Sequence, residues 1–267
     1  MRRVFRVRVA SCVLGLALWA SIGSAALPTR LRILTYNIHH GEGTDGSLDL
    51  ARVAAIITSA APDLVALQEV DRFVARTGRV HQLEELERLT GLHGAFGKAM
   101  DYQGGDYGVA VLSRRPIVRA ENHALASAWS NEPRTALTVQ VELSAGQPLL
   151  HFTSTHLDDG REVEARLPQV RDLIAHLATD DRSPRILAGD MNSRSGSETF
   201  QVIATRWTEA FNTPEPVDAE GRPRRRVDYV FVSPAASWQV VDSVVIEDRL
   251  ASDHRPVLAV VDWTGTP

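Results

Sequence analysis

Two kinds of hydrophobic pattern alternate along the chain. Short runs rich in valine, isoleucine and leucine recur at 31–38, 63–70, 108–112, 136–143, 149–156, 185–188, 227–232 and 257–261. Their length and composition predict strands, many of them buried on both faces. Between some of them lie patterns of helical period. Leu50, Val53, Ala54 and Ile57 share one face behind candidate caps at Ser47 and Asp49, and Pro62 ends the segment. Leu83, Leu86 and Leu89 form a second amphipathic stretch, closed by Gly91. Val170, Leu173, Ile174 and Leu177 form a third, with Pro168 expected in its first turn. Consecutive strands with interspersed helices predict an α/β protein of sheet layers covered by helices, and periodicity alone leaves the strand order open.

Several of these apolar strands run into polar groups. The segment 31–38 carries Asn37 in LTYNIHHG, 63–70 carries Glu69 in DLVALQEVD, and 149–156 ends on His156 in FTSTHLD. The segment 185–188 runs into Gly189-Asp190-Met191-Asn192, where Asp190 and Asn192 share a face if the chain stays extended. Asp228 interrupts 227–232 in RRVDYVFVS. The last strand is entered through SDHRP, where Pro256 sets Arg255 toward extended geometry and leaves Asp253 and His254 on the entry loop. Burying any one of these groups without a partner costs a few kcal/mol, and more for a charge. Singly, each reads as a capped strand end or a satisfied core polar group. Taken together, they are explained most economically by convergence on one pocket, paired with each other or through a metal ion.

The inventory is chemically specific. Glu69, Asp190, Asp228 and Asp253 are hard oxygen donors, and Asn37 and Asn192 are neutral ones. Such a set suits Mg2+ or Mn2+, which take one or two carboxylates and keep waters that a phosphate can replace. A magnesium phosphoesterase follows. Zinc hydrolysis is the weaker reading, because the histidines lack His-x-x-x-His spacing, and the adjacent His39 and His40 read as rim residues rather than a ligand pair.

In this order, LTYNIHHG, LQEVD, YGVAVLSRRP, EPRTAL, STHLD, GDMN, RRVDYVFVS and SDHRPV resemble the motifs of the endonuclease/exonuclease/phosphatase superfamily, over essentially all of the chain after residue 26. The resemblance implies a four-layer αββα sandwich, two mixed β-sheets face to face with helices outside, and an active site at one edge of the sheets. It implies Glu69 as the principal metal carboxylate, completed by Asn37 and Asp253. His254, oriented by Asp228, would generate or stabilise the attacking water; Asp190 and Asn192 would hold the nucleophile and a phosphate oxygen; His156 would donate to the phosphoryl group as charge builds. Tyr107 falls in the YG stretch that borders the phosphate, with packing at a strand start as its other reading. Arg134 in EPRTAL is expected either to bind phosphate or to pair with Glu132. Residue identities leave open whether His254 or Asp190 is the base, and whether one metal or two operate.

Residues 1–26 carry Arg2, Arg3, Arg6 and Arg8 ahead of an apolar run at 9–22 and small residues at 23–26, the pattern of a secretory signal peptide. That run falls short of the roughly 20 apolar residues of a spanning anchor. Export to the periplasm or the exterior is expected, with one catalytic domain at 27–267. Arg2-Arg3 with Phe5 leaves a twin-arginine route open, and Cys12 precedes the apolar run, which argues against lipidation. Cys12 is the chain's one cysteine, so 27–267 has neither a disulfide nor a thiol nucleophile. Without those four arginines, the chain's 29 basic residues fall further behind its 33 acidic ones, to a net charge of about −8. Such a body disfavours nucleic acid except along GRPRRR, where Arg222, Arg224, Arg225 and Arg226 read equally as a solvated loop or an anion clamp. An aromatic content of 6 % gives few platforms for stacking bases. The function expected is an exported, metal-dependent phosphodiesterase, monomeric, acting on a small or lipid-linked phosphoester. A secreted nuclease is the alternative, and a catalytically inactive binding module the third reading. A membrane surface stays open as a partner, with Trp129 and Trp207 as candidate contacts.

Overall fold

A computed structural model describes residues 29–126, 132–144, 148–160, 163–178, 183–214 and 226–265. The expected signal segment, Trp129, and Arg222, Arg224 and Arg225 lie outside the described residues. The first half of the chain runs β1 (Thr29–Asn37), α1 (Leu50–Ala60), β2 (Leu64–Arg72), α2 (Gln82–Thr90), β3 (His93–Tyr102), β4 (Gly105–Ser113), β5 (Ile117–Ala124) and β6 (Thr135–Val141). The second runs β7 (Leu150–His156), α3 (Val163–Leu177), β8 (Arg185–Asp190), α4 (Glu198–Ala204), β9 (Thr208–Glu209), β10 (Asp228–Ser233), β11 (Trp238–Val245) and β12 (Val257–Trp263). Two six-stranded sheets result, ordered β11-β12-β1-β2-β4-β3 and β5-β6-β7-β8-β10-β9. Both are mixed, because β1 pairs with β2 and β7 with β8 in parallel while the other ladders are antiparallel.

Alternation along each strand assigns the layers. Leu31 and Ile33, Leu64 and Ala66, Val109 and Val111, Leu150 and Phe152, Ile186 and Ala188, and Val230 and Val232 meet in one core between the sheets. The intervening residues face outward onto helices. Leu34, Tyr36, Val65 and Leu67 pack with Val53 and Ile57 of α1 and Leu83 and Leu86 of α2. Leu187, Tyr229 and Phe231 pack with Val170 and Leu173 of α3 and Ile203 of α4. A strand buried on both faces must be apolar throughout, which is why these segments stand out as continuous runs. The result is the expected αββα sandwich.

All eight predicted strands are present, and every one is flanked by two neighbours. The four strands that periodicity missed are β3, β5, β9 and β11. These are the four sheet edges. In β5 most residues are exposed, and β3 buries fully only Gly97. Edge strands show water a face or a flank and carry polar residues there, so no apolar run marks them.

Asp49, not Ser47, caps α1 by accepting from the Arg52 N–H at 2.9 Å. Gly91 closes α2 at φ 71°. Pro168 is inside α3 rather than in its first turn, because the helix begins upstream at Val163. The helix α4, too short to show a period, was not anticipated. Trp207 is buried in the core beneath α3 and α4 and presents no surface to a bilayer. Among the described residues no helix is long and apolar enough to cross a membrane. Arg226 is neither solvated nor free to clamp an anion: it is buried, pairs with Glu209, and lies 3.9 Å above the Phe211 ring.

Candidate active site

At one end of the sandwich the residues that point between the sheets change from apolar to polar without changing parity. Leu31 and Ile33 on β1 continue as Thr35 and Asn37, Leu64 and Ala66 on β2 as Gln68, Leu150 and Phe152 on β7 as Ser154 and His156, and Ile186 and Ala188 on β8 as Asp190. On β10 and β4, read backward, Val232 and Val230 lead to Asp228, and Val111 and Val109 to Tyr107. The first polar layer ties the sheets together: Gln68 reaches Ser154 at 3.4 Å, and the Ser154 hydroxyl donates to the Leu67 carbonyl at 3.2 Å. Above it opens a cavity of about 320 Å³.

Glu69 breaks the parity. Its strand alternation would turn it toward the helices, but between Leu67 and Val70 the β2–β4 register gains one residue on β2. Val70 takes the helix-facing place instead, in the core shared with α1 and α2. Glu69, at φ 58°, is left aimed at the cavity. Bulges re-aim side chains in this way next to functional sites.

The Asn37 amide nitrogen donates to Glu69 Oε1 at 2.9 Å and to Asp190 Oδ2 at 3.2 Å, bridging carboxylates of the two sheets. Its oxygen accepts from the His39 N–H at 3.0 Å. The expected turn at Asp253-His254 is pinned by Ser252, whose hydroxyl donates to the Asn37 carbonyl at 2.8 Å and accepts from the His254 N–H at 3.1 Å. His254 Nδ1 lies 2.9 Å from Asp228 Oδ2, and its Nε2 lies 3.6 Å from Asp190 Oδ2. His156 Nε2 lies the same 3.6 Å from that oxygen. Asp228 and Asp190 are directly paired across the β10–β8 ladder.

After Asp190 the chain does not stay extended, since Asn192 adopts φ 46°. A turn replaces the strand: the Asn192 N–H donates to Asp190 Oδ1 at 2.8 Å, and its side-chain amide donates to the Leu157 carbonyl at 2.9 Å. Arg134 is buried and pairs with Glu132 at 2.8 Å, and its Nη1 also faces His156 Nδ1 at 3.0 Å. A guanidinium only donates, so Nδ1 accepts, and the Asn192 amide nitrogen lies 3.1 Å from Nε2, so a donor faces each ring nitrogen. Asp253, exposed, borders the cavity with Glu69, Tyr107, Arg134, Asn192 and His254.

Environment separates the proton affinities. Burial alone would raise the Glu69 carboxyl, but the facing His40, His156 and Asn37 outweigh it and hold it down at about 2. Burial opposes charge on His254 too, yet the Asp228 hydrogen bond and the charges of Asp228, Asp190 and Asp253 push it up to about 10. His156 is lowered to about 3 by burial and then by Arg134, and stays neutral. Asp190 is raised, first by burial and then by the charge of Asp228. Tyr107 is raised by burial and by Glu69, so its phenol keeps its proton.

All ten sequence-predicted residues are at this end of the sandwich. The sequence reading missed Arg76, Met100, Tyr102 and Asp159, which complete the cavity wall. Arg76 is held by Asp71 through bonds of 2.8 and 2.9 Å and covers the Tyr102 ring at 4.8 Å. Asp71, the last residue of the quoted LQEVD, was the available sign. The expected rim pair also differs, since His40 is buried beside Glu69.

Two carboxylates paired across a ladder, a third aimed at the cavity by a bulge and kept ionised by its neighbours, and imidazoles of opposite proton affinity fit a divalent cation and a phosphate. Asp228 Oδ1, buried and without a hydrogen-bond partner, adds a donor atom to that set. Fold and pocket together define the class: a metal-dependent hydrolase of phosphoric esters. The chain belongs to the Endonuclease/Exonuclease/phosphatase family, whose model matches residues 34–254. It is 26% identical over 249 residues to the uncharacterized protein YbhP of Escherichia coli K12, covering 86% of this chain and 95% of that protein. An endonuclease/exonuclease/phosphatase structure from Beutenbergia cavernae superposes with a TM-score of 0.74 at 29% identity, covering 88% of this chain and 72% of that one. The mannosyl-6-phosphatase Bt3783 of Bacteroides thetaiotaomicron shares the fold at a TM-score of 0.69 and 18% identity, over 86% of this chain and 99% of that one.

Proposed function

We propose that the chain hydrolyses a phosphodiester in a small or lipid-linked substrate, by attack of water in line with the leaving oxygen. The observation that carries this reading is Asp190 Oδ2, which stands 3.6 Å from both His254 and His156 in the cavity that Glu69 borders. Glu69 and Asp253 would hold a divalent cation, and their oxygen atoms suit Mg2+ or Mn2+; Asn37, whose amide nitrogen faces Glu69 while its oxygen accepts from the His39 N–H, positions Glu69 rather than offering its own oxygen. Once bound, that ion supplies positive charge to polarise a phosphoryl oxygen.

The chain's own groups divide the remaining work. Asp190, its proton affinity raised by burial and by Asp228, accepts the proton of the attacking water. His254, kept protonated by Asp228 and positioned by Ser252, donates Nε2–H as charge builds on the phosphoryl group. Neutral His156, held between Arg134 at Nδ1 and Asn192 at Nε2, borders the phosphoryl site. Asn192 and Tyr107 border the same space as further donors.

The acidic rim of Glu132, Asp159 and Asp253 weighs against a polyanion and for a compact, weakly charged leaving group. On this reading residues 1–26 export the protein, 27–267 form its catalytic domain, and it acts as a monomer. The test is purified protein assayed with Mg2+, Mn2+ and Ca2+ against bis-p-nitrophenyl phosphate, sphingomyelin, phosphoinositides, mannose 6-phosphate and plasmid DNA. Turnover of a small or lipid diester is expected. Cleavage of the plasmid alone reverses the substrate assignment, and cleavage of the sugar phosphate alone replaces the diester with a monoester.

A further inference from the structure

The loop after β1 has features that the reaction above does not use. His39 and His40 adopt φ of 46° and 44°, two consecutive non-glycine residues in the left-handed region. Each costs on the order of 1–3 kcal/mol, and such strain collects at functional sites. The loop therefore holds these rings in place against the preference of its backbone.

Both rings are oriented by Glu42. The His39 Nδ1 lies 3.1 Å from the Glu42 carbonyl oxygen, which can only accept, so His39 carries its proton on Nδ1 and its lone pair on Nε2. The His40 Nε2 lies 3.5 Å from the Glu42 carboxylate, which places a proton on that nitrogen. Its other nitrogen, Nδ1, is the one left to meet a ligand. That atom is buried on a ring only 7% exposed, makes no hydrogen bond, and faces Glu69 Oε2 at 4.0 Å. A buried ring nitrogen without a hydrogen bond and a carboxylate oxygen thus face each other across that gap. A cation between them resolves that arrangement. Opposite ligands of a metal bound at about 2.0–2.1 Å stand about 4.1 Å apart, and cis ligands closer, so the observed gap is within one coordination sphere. One donor atom from each of His39, His40 and Glu69 lies within 4.8 Å of the others.

We propose that Glu69, His40 and His39 form a site for a divalent transition metal of the zinc class, beside the oxygen-ligated position invoked above. Glu69 turns Oε1 to Asn37 and Oε2 to His40, so one carboxylate serves both. Imidazole nitrogens favour Zn2+ over Mg2+, and histidine ligands held through their other nitrogen by a carbonyl or carboxylate are the usual arrangement. The proposal rests on the phosphohydrolase reading only in taking Glu69 as a cation ligand.

The test titrates metal-free protein with Co2+, followed by its visible ligand-field absorption, and then displaces it with Zn2+. His39→Asn and His40→Asn are the variants of choice, because asparagine tolerates positive φ. Each is expected to weaken Co2+ binding at least about tenfold and to change the spectrum. Unchanged affinity and spectrum in both overturns the nitrogen site. Should far-UV circular dichroism show His40→Asn unfolded, His39→Asn, at a less buried position, decides alone. Glu69→Gln separates the two proposals: Mg2+ affinity that survives this change overturns the Glu69 cation of the preceding section, whatever the histidine variants show.

Discussion

Glu69 belongs to a strand whose alternation would send its side chain among the helices, and a single extra residue in the β2–β4 ladder sends it to the cavity instead. From the sequence its identity as an acid in an apolar run was legible, but its aim was not, because a bulge depends on the partner strand. Arg76 and Tyr102 were hidden for a related reason: both reach the cavity from turns and an edge strand, where no periodicity ranks one polar residue above another. His254 shows how strongly one neighbour sets a residue's chemistry. Its folded proton affinity is raised from 6.5 to about 10, chiefly by Asp228 against the cost of burial. The stabilisation this pair provides is complete below about pH 6.5 and is lost as pH rises through about 10. In EDTA, the melting temperature of the native protein should therefore fall between pH 7 and 10. Asp228→Asn should start lower and fall less over the same range, and parallel melting curves would remove Asp228 as the cause.

At the scale of elements, what decides legibility is how many faces a strand buries. The eight inner strands are apolar on both faces and were readable as runs, whereas β3, β5, β9 and β11 at the edges were not. Order and direction within the sheets were also hidden, since they depend on pairings between segments far apart in the chain. The parallel β7–β8 pair illustrates how tightly the site depends on that pairing. It carries His156 opposite Asp190, and a Cβ on Gly189 would lie 2.0 Å from the Thr155 carbonyl oxygen. Because the obstacle is backbone, neither strand can yield cheaply. Gly189→Ala should cost at least about 2 kcal/mol and misalign His156 with Asp190. Chemical denaturation measures the first effect and kcat the second, and a variant with native stability and turnover would show that the ladder has slack.

For the whole molecule, the active site is the end of the core. The inter-sheet layer that is apolar through most of the sandwich turns polar at the last one or two inward positions of these strands, so acids of both sheets converge there. Glu69, Asp190, Asp228 and Asp253 crowd one end of the folded chain and are far apart in the unfolded one. A divalent cation that binds only the folded form stabilises it by about 2.7 kcal/mol at about a hundred times its dissociation constant. For a domain of this size that is a rise in melting temperature of roughly 5–10 °C, reversed by EDTA. Differential scanning fluorimetry with Mg2+, Mn2+ and Zn2+ measures it, and the absence of any shift contradicts a folded-state cation. The pairing of β1 with β12 has a further consequence. Thr29 lies opposite Trp263, while Asn37 and the turn leading into Val257 are at the cavity. Along β1 this separates the two ends by roughly 26 Å. Any tether, tag or support attached ahead of Thr29 therefore grips the molecule by its back, and leaves the catalytic mouth turned toward the solution.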